Sequence, residues 1–567
     1  LGKTYYLGEK YYVDGGYTGG SNDGSWTHPW TSIKTAVANV TSGNKTIIVR
    51  GAHDSFNGIY VETGITPKAG TDDAHHFMIV GYGQERPIVD GNYSTQDMIG
   101  STGQLYGYTT VQRLRLQNNS RDGVHWGGTV NGVLQDRDRY NYLIDVDFYN
   151  IGANPSYHTN APIYYLDAPN GWIFHVTVKH TLMHCIKIGD GGDNDLVEWT
   201  VAGECGYWPG VAAETGITDF RTQLYQYPRC LDFPNDSGQI AENTIARYNI
   251  AYDGLYGGVQ IRNSYNFSFH HNEIYNSPRL TVSNMGLSCA NVANPCAQVL
   301  AIGEPANQVN TPLDKVYMYS NVIRDSGEPI EGAGIGIHSL TDGHTVYLYN
   351  NLLYSNPKSE ISLYAYTNIV PYPYSSRRVE ILNNTLWHGS NYNAALFIPN
   401  YSANKWGDEE VAIKNNIITN TASGGYVYGE GGGARSTTNY DYNLYYYPNN
   451  GRLGASAGLN DYAHGASTNS LFVAEPFGAY SWGMGNLLPS SPAKDSGLNL
   501  SALFTSDFNL ASRPQGSAWD IGAYEYVQNL SGDVSGDGVI TTYDAGLALQ
   551  LGRGALEAAQ IAQEAVD

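Results

Sequence analysis

Along the middle of the chain, two apolar residues spaced two apart are followed three positions later by an asparagine. The sets are Phe267, Phe269 and Asn272; Val316, Met318 and Asn321; Val346, Leu348 and Asn351; Val379, Ile381 and Asn384; and Val411, Ile413 and Asn416. An apolar pair at i, i+2 is a strand burying one face, and an Asn just beyond it suits a turn where its amide bonds the chain above and below. The frame extends back to Asn249, Thr200, Thr177 and Asp147, and forward to Asn443. Successive marks lie 30, 23, 49, 23, 49, 30, 33, 32 and 27 residues apart, so 23 is taken as the bare coil and each 49 as hiding an unmarked rung. One such coil cannot bury its apolar face alone, whereas stacked coils can. The pattern predicts an all-β chain wound as a parallel β-solenoid. Near the N terminus, Tyr11 to Asp14, Ser32 to Val37 and Thr46 to Arg50 predict strand, short amphipathic helix and strand, with the helix plugging the open end.

Further motifs carry a family resemblance. The run through Gly51, Tyr60-Val61-Glu62, Gly81-Tyr82-Gly83 and Arg86 to Gly91 resembles the opening of secreted bacterial right-handed parallel β-helix proteins. Ser491 to Gly497, Arg513-Pro514 and Asp520 to Glu525 resemble their closing segment. The resemblance covers residues 1–528 and implies a right-handed parallel β-helix with a cap at each end. That fold hosts polysaccharide lyases, glycosidases, esterases and uronate epimerases, and also adhesins and fibres without chemistry. Asp495, Arg513, Asp520 and Glu525 are read as a structural latch, since their motif sits at a terminus rather than a cleft.

Residues 529–567 form a second unit. Asp533, Ser535, Asp537 and Asp544 occupy positions 1, 3, 5 and 12 of a loop with Gly538 at position 6, the spacing that converges oxygens on Ca2+. The loop and the helix that follows are similar to the first repeat of a dockerin, an EF-hand-like module that binds cohesin domains. That resemblance implies calcium held by Asp533, Ser535, Asp537 and Asp544 through side chains, by the Val539 carbonyl, and by Thr541 through water. Dockerins carry two such loops, and here Asp567 stands where the second would begin.

Composition narrows the partners. A formal charge of −22 argues against nucleic acid and anionic membranes, and no apolar run is long enough to span a bilayer. The opening Leu1-Gly2-Lys3-Thr4 lacks signal-peptide character and reads as a processed, extracellular product. Among five cysteines, Cys289 and Cys296 are the expected disulfide, and Cys185 with Cys205 ranks lower because the two fall at different places in their coils.

Stacking turns each frame position into a surface column. Two residues before the Asn position the column reads Asp145, His175, Glu198, Arg247, His270, Tyr319 and Tyr349, with Tyr317 and Tyr347 beside it. The titratable groups are candidate catalytic residues, and the tyrosines are a platform for the C–H faces of a polysaccharide. Asp145 and Glu198, roughly 10 Å apart at two rungs, suit an inverting acid/base pair; alternatively Arg247 neutralises a uronate while His270 or Tyr319 removes a proton. The bland reading is cross-strand charge pairing, and a slip of one residue would dissolve the column. Lys187 to Asp195 reads as an ordinary Asp-Gly turn. The leading expectation is a glycoside hydrolase or polysaccharide lyase tethered by its tail. The alternative is a non-catalytic structural or adhesive protein, capable of forming filaments, on the same solenoid.

Overall fold

The computed structural model describes residues 7–527 except the connecting stretches 101–106, 153–160, 207–227, 234–241, 278–296, 303–314, 327–332, 339–343, 365–377, 390–393, 399–410, 431–438, 448–461, 466–471 and some shorter pieces. The calcium loop and the Cys289–Cys296 pair lie outside the described residues.

Three long sheets run the length of the chain, two of 14 strands and one of 11, each joining a strand to its equivalent in the next coil. Pairing within them is parallel throughout, as in Val316↔Val346 in the first sheet, Leu352↔Thr385 in the second and Val259↔Val299 in the third. The protein is therefore a parallel β-helix. One coil passes through the first sheet, turns a tight corner into the second, and reaches the third through a longer connection. Inward-facing Val, Ile, Leu and Phe from all three sheets form one continuous core, from Val13 to Tyr445.

The first corner depends on the asparagines. Asn249, Asn272, Asn321, Asn351, Asn384, Asn416 and Asn443 are at most 1–2% exposed and form one ladder. From Asn249 to Asn416 each Nδ2 donates to Oδ1 of the next rung and to a carbonyl of the rung before, as Asn351 does to Asn384 at 2.9 Å and to Met318 at 2.9 Å. The preceding residue takes a left-handed conformation, from Trp199 (φ 56°) through Tyr248, His271, Ser320, Asn350 and Asn383 to Asn415 (φ 58°). A non-glycine residue there is unfavourable. The ladder and the bond each corner N–H makes to the next rung, such as His271 N to Tyr319 O at 3.2 Å, hold it in place.

The 49-residue intervals hide no rung. Glu198 pairs directly with Arg247, and His270 directly with Tyr319. The extra length sits on either side of the third sheet, for instance between Cys205 and Arg229 and between Tyr275 and Ala297.

Near the N terminus the strands Glu9–Val13 and Lys45–Val49 flank the helix Ile33–Asn39. The helix buries Ile33, Ala36 and Val37, and its first turn is held by Glu62, which accepts from Ser32 Oγ at 2.8 Å and from the Ile33 and Lys34 N–H groups at 2.9 Å.

The disulfide among the described residues is Cys185–Cys205, with Cα atoms 5.5 Å apart. This corrects its low sequence ranking. Cys205 ends a second-sheet strand and Cys185 precedes a third-sheet strand of the coil before, so the bond runs diagonally inside the corner between those sheets. Cys230 is free and buried.

The closing segment does not simply end the stack. It folds back along the first corner, where Phe504 stacks on Tyr349 at 4.6 Å and Arg513 donates to Asn350 at 3.0 Å. Arg513 and Glu525, both fully buried, pair at 2.7 Å, and Asp520 accepts from the Asp495 N–H at 2.5 Å. Arg513, Asp520 and Glu525 are buried together, and Asp495 joins them through its backbone N–H from a half-buried position.

Candidate functional site

From Glu198 onward the column forms as the repeat predicts. Glu198, Arg247, His270, Tyr319 and Tyr349 are consecutive partners in the first sheet. His270 stacks on Tyr319 at 4.5 Å, Tyr319 on Tyr349 at 4.7 Å, and the neighbouring Tyr317 on Tyr347 at 5.1 Å.

Asp145 and His175 are displaced by one residue. Ile144 and Phe174 hold their places in register with Glu198, while Asp145 and His175 occupy the left-handed corner position that Trp199 and Tyr248 occupy later. Correspondingly, Asp147 and Thr177 are not turn residues but begin second-sheet strands, and Val146 and Val176 fill the ladder position. Without an Asn marker, these early coils align equally well one residue out.

Each acid of this column already has a cationic partner. Asp145 meets His175 Nδ1 at 3.2 Å and the Arg86 guanidinium. Burial pushes the Asp145 carboxyl upward, but His175 and Arg86 together outweigh it and hold it below the usual range. Glu198 receives Trp172 Nε1 at 3.0 Å on one oxygen and Arg247 at 2.7 Å on the other. The corresponding histidine is kept neutral: burial first, then His271 and Arg247, bring His270 down to about 3.

A different column occupies the outer face of the third sheet. His125, Tyr164, Lys187, Asp232 and Gln260 are consecutive partners. Each lies between two core residues, as Lys187 does between Ile186 and Ile188 and Asp232 between Leu231 and Phe233, so each faces away from the core. All five are nevertheless at most 9% exposed, with Lys187 at 2%. The Lys187 amine is 5.4 Å from the Tyr164 ring, and His184 Nδ1 lies 3.4 Å from Asp232. Arg229, also buried, donates its backbone N–H to His184 Nδ1 at 3.3 Å.

At the upstream end of this face Asp97, Asp122 and His125 each bring a ligand atom within 4.8 Å of the others, a donor set able to hold a divalent cation. Asp122 accepts from the Ala161 N–H at 2.8 Å and lies 2.7 Å from His125 Nδ1. Burial, then the charge of Asp122, push the Asp97 carboxyl up to about 6, although His125 and Arg121 pull the other way.

Sequence reasoning missed this column, though a signal exists in the triplets Val124-His125-Trp126, Ile186-Lys187-Ile188, Leu231-Asp232-Phe233 and Val259-Gln260-Ile261. A polar residue flanked by two core residues is the outward position of a strand. Asp195, in the Asp-Gly turn, is structural: it is 1% exposed and accepts from the Gly171 N–H at 2.6 Å.

No protein-family profile matches the chain, and no curated protein matches it. Among solved structures the chain is similar to "pectate lyase Pel9A" at 11% identity and TM-score 0.37, covering 92% of this chain and 97% of that one. It is similar to "PL6 family alginate lyase AlyGC" at 13% identity and TM-score 0.49, covering 77% of this chain and 52% of that one. A third is the complex of "XylC with xylose", at 11% identity and TM-score 0.39, covering 91% of this chain and 99% of that one. The fold assignment rests on the strand register, not on these values.

Proposed function

We propose that the protein is an extracellular polysaccharide-acting enzyme whose chemistry takes place on the outer face of the third sheet, and that its reaction is β-elimination from a uronate-bearing glycan. The observation that carries this reading is Lys187, an amine 2% exposed on an outward-facing strand position, in register between Tyr164 and Asp232. In its deprotonated form, an amine there would take a proton from a sugar that reaches this face. In the elimination the C5–H bond breaks beside the carboxylate, the C4–O bond breaks, and C4=C5 forms. The departing oxygen takes a proton, for which His184 is the nearby titratable group.

Charge developing on the carboxylate requires cationic neighbours, and one cation this sheet offers is the buried Arg229 guanidinium, which donates to the Tyr256 carbonyl at 3.3 Å. A divalent cation held by Asp97, Asp122 and His125 would further neutralise the uronate. Long connections flank both edges of this sheet, whereas the first corner is two residues long in every coil from Thr109–Gln112 onward, so walls for a cleft belong here. Hydrolysis by Asp145 and Glu198 is less favoured, because each is already bound by a guanidinium and the Asp145 carboxyl is held below its usual range. No helix among the described residues is long and apolar enough to cross a membrane.

Incubation with polygalacturonate, alginate and neutral glycans tests this reading, with ultraviolet absorbance following unsaturated ends and a reducing-sugar assay following all cleavage. The expected result is matched growth of both signals, falling by roughly a thousandfold or more in Lys187→Met. Reducing ends without absorbance would replace elimination by hydrolysis, and no cleavage of any glycan would favour the non-catalytic alternative.

Residues 529–567 complete the proposal as a dockerin-like tail that binds calcium through Asp533, Ser535, Asp537, Val539, Thr541 and Asp544 and docks the enzyme to a cohesin-type scaffold. A chelator should increase hydrogen exchange within 529–567 and leave the solenoid unchanged; an unaltered tail would remove the calcium loop.

A further inference from the structure

Away from the third sheet, a pocket of about 260 Å³ opens between the first corner and the folded-back closing segment. Its floor is the corner column Trp199, Tyr248, His271 and Ser320, and its far wall is Tyr480, Phe508 and Leu510. Trp199 and Tyr248 stack at 4.6 Å and 12°, with Trp199 37% exposed. This is a rigid aromatic surface open to solvent.

One polar atom inside this wall is left over. His271 Nδ1 faces His270 Nδ1 at 2.8 Å, while His271 Nε2 is buried and has no hydrogen-bond partner among the described residues. Burial, and Arg247 after it, keep the ring neutral, with a pKa of about 4. Nε2 is closed to water as the ring stands, so a ligand reaches this unmade hydrogen bond through a small shift of the imidazole toward the pocket. An apolar side chain in the pocket would leave it unpaired, and a hydroxyl would not.

The charge of the pocket selects further. Its lining includes the Glu273 carboxylate and neither Lys nor Arg, and Glu273 is already held by Arg324 at 2.7 Å. An acidic sugar would meet no free cation there. The volume is below that of ordinary drug-sized sites, which suits a single ring.

We propose that this pocket is an accessory glycan-binding site that takes one neutral pyranose residue, its C–H face on the Trp199–Tyr248 stack and a hydroxyl on His271 Nε2. Aromatic rings with a fixed polar partner recognise a sugar in this way. The site lies at the corner of the first and second sheets, so an enzyme working on the third sheet can hold a neutral region of its glycan while cleaving another.

The test is titration of the full-length protein with xylopentaose, cellopentaose and mannopentaose, and with trigalacturonate as the acidic probe, followed by tryptophan fluorescence and calorimetry. Saturable binding of at least one neutral pentasaccharide is expected, with trigalacturonate failing to compete. Trp199→Ala and His271→Phe should each weaken it by about tenfold or more, and Trp199→Phe should retain most of it. Lys187→Met should bind as the parent does, which separates this site from the cleavage reaction. Binding of no neutral probe, binding unchanged in both Trp199→Ala and His271→Phe, or preference for trigalacturonate would each overturn the proposal. If Trp199→Ala fails to fold, as judged by its melting transition, His271→Phe alone decides.

Discussion

Asn272 and Asn321 are joined twice: the backbone N–H and the side-chain Nδ2 of Asn272 both donate to Oδ1 of Asn321, each at 3.0 Å. Asn321 in turn donates to the Phe269 carbonyl at 3.0 Å and to Asn351 Oδ1 at 3.0 Å. One amide therefore serves three coils.

Asn321→Ala should be among the most destabilising single changes in the body. It strands the Asn272 N–H and the Phe269 carbonyl, both in a buried corner, at about 1–3 kcal/mol for each group. Thr200→Val, at the end of the ladder, should cost much less, since it keeps the N–H bond to Asn249 at 3.0 Å and loses only the long hydroxyl bond to the Glu198 carbonyl at 3.4 Å. Chemical denaturation of the two variants checks the difference, and equal losses would mean the ladder is not cooperative.

Stability should also fall in mild acid. His270 and His271 have values near 3 and 4 in the folded chain, against an ordinary value of about 6.5 when unfolded. Between those limits the unfolded state binds more protons, so the stabilisation present at neutral pH is lost as pH falls from about 6.5 toward 4. The loss should be on the order of a few kcal/mol. A His270→Asn, His271→Asn double variant should flatten the slope of melting temperature against pH in that window, and an unchanged slope would assign the effect elsewhere.

Arg513→Met should release the closing segment without unwinding the coils. It leaves Glu525, fully buried, with no guanidinium beside it, a change that costs about 3–5 kcal/mol. Hydrogen exchange should rise across 491–526 and around Asn350 and Asn383, which contact that segment, and stay low at Asn272. Uniform loss of protection would show that the segment and the coils unfold together.

The parts of the fold that were legible from sequence are those where one chemical need recurs. A corner that must bond coils above and below selects Asn at Asn249 through Asn443, and the apolar pairs before it are fixed by the core. Upstream the same corner is filled by Val146 and Val176, so nothing marks the frame and Asp145 and His175 were placed one residue out. The third-sheet column was hidden for a different reason: the connections before and after Arg229–Phe233 and Ala297–Ile302 vary in length, and no fixed spacing leads from Lys187 to Asp232 or onward. The Cys185–Cys205 bond was underrated because a pairing that crosses between coils at a corner does not show as equal positions in a repeat.

The returning segment has a consequence for the order of assembly. Asn350 is bonded by a residue 163 positions later, and Asn383 by residues 137 and 139 positions later. Each coil can close on its neighbour once both are present, but this corner waits, with Tyr349 and Leu382 wet, until nearly all of the body is in place. A chain ending before Phe504 would lack the residues that cover Tyr349 and Leu382, leaving one open seam along the coils.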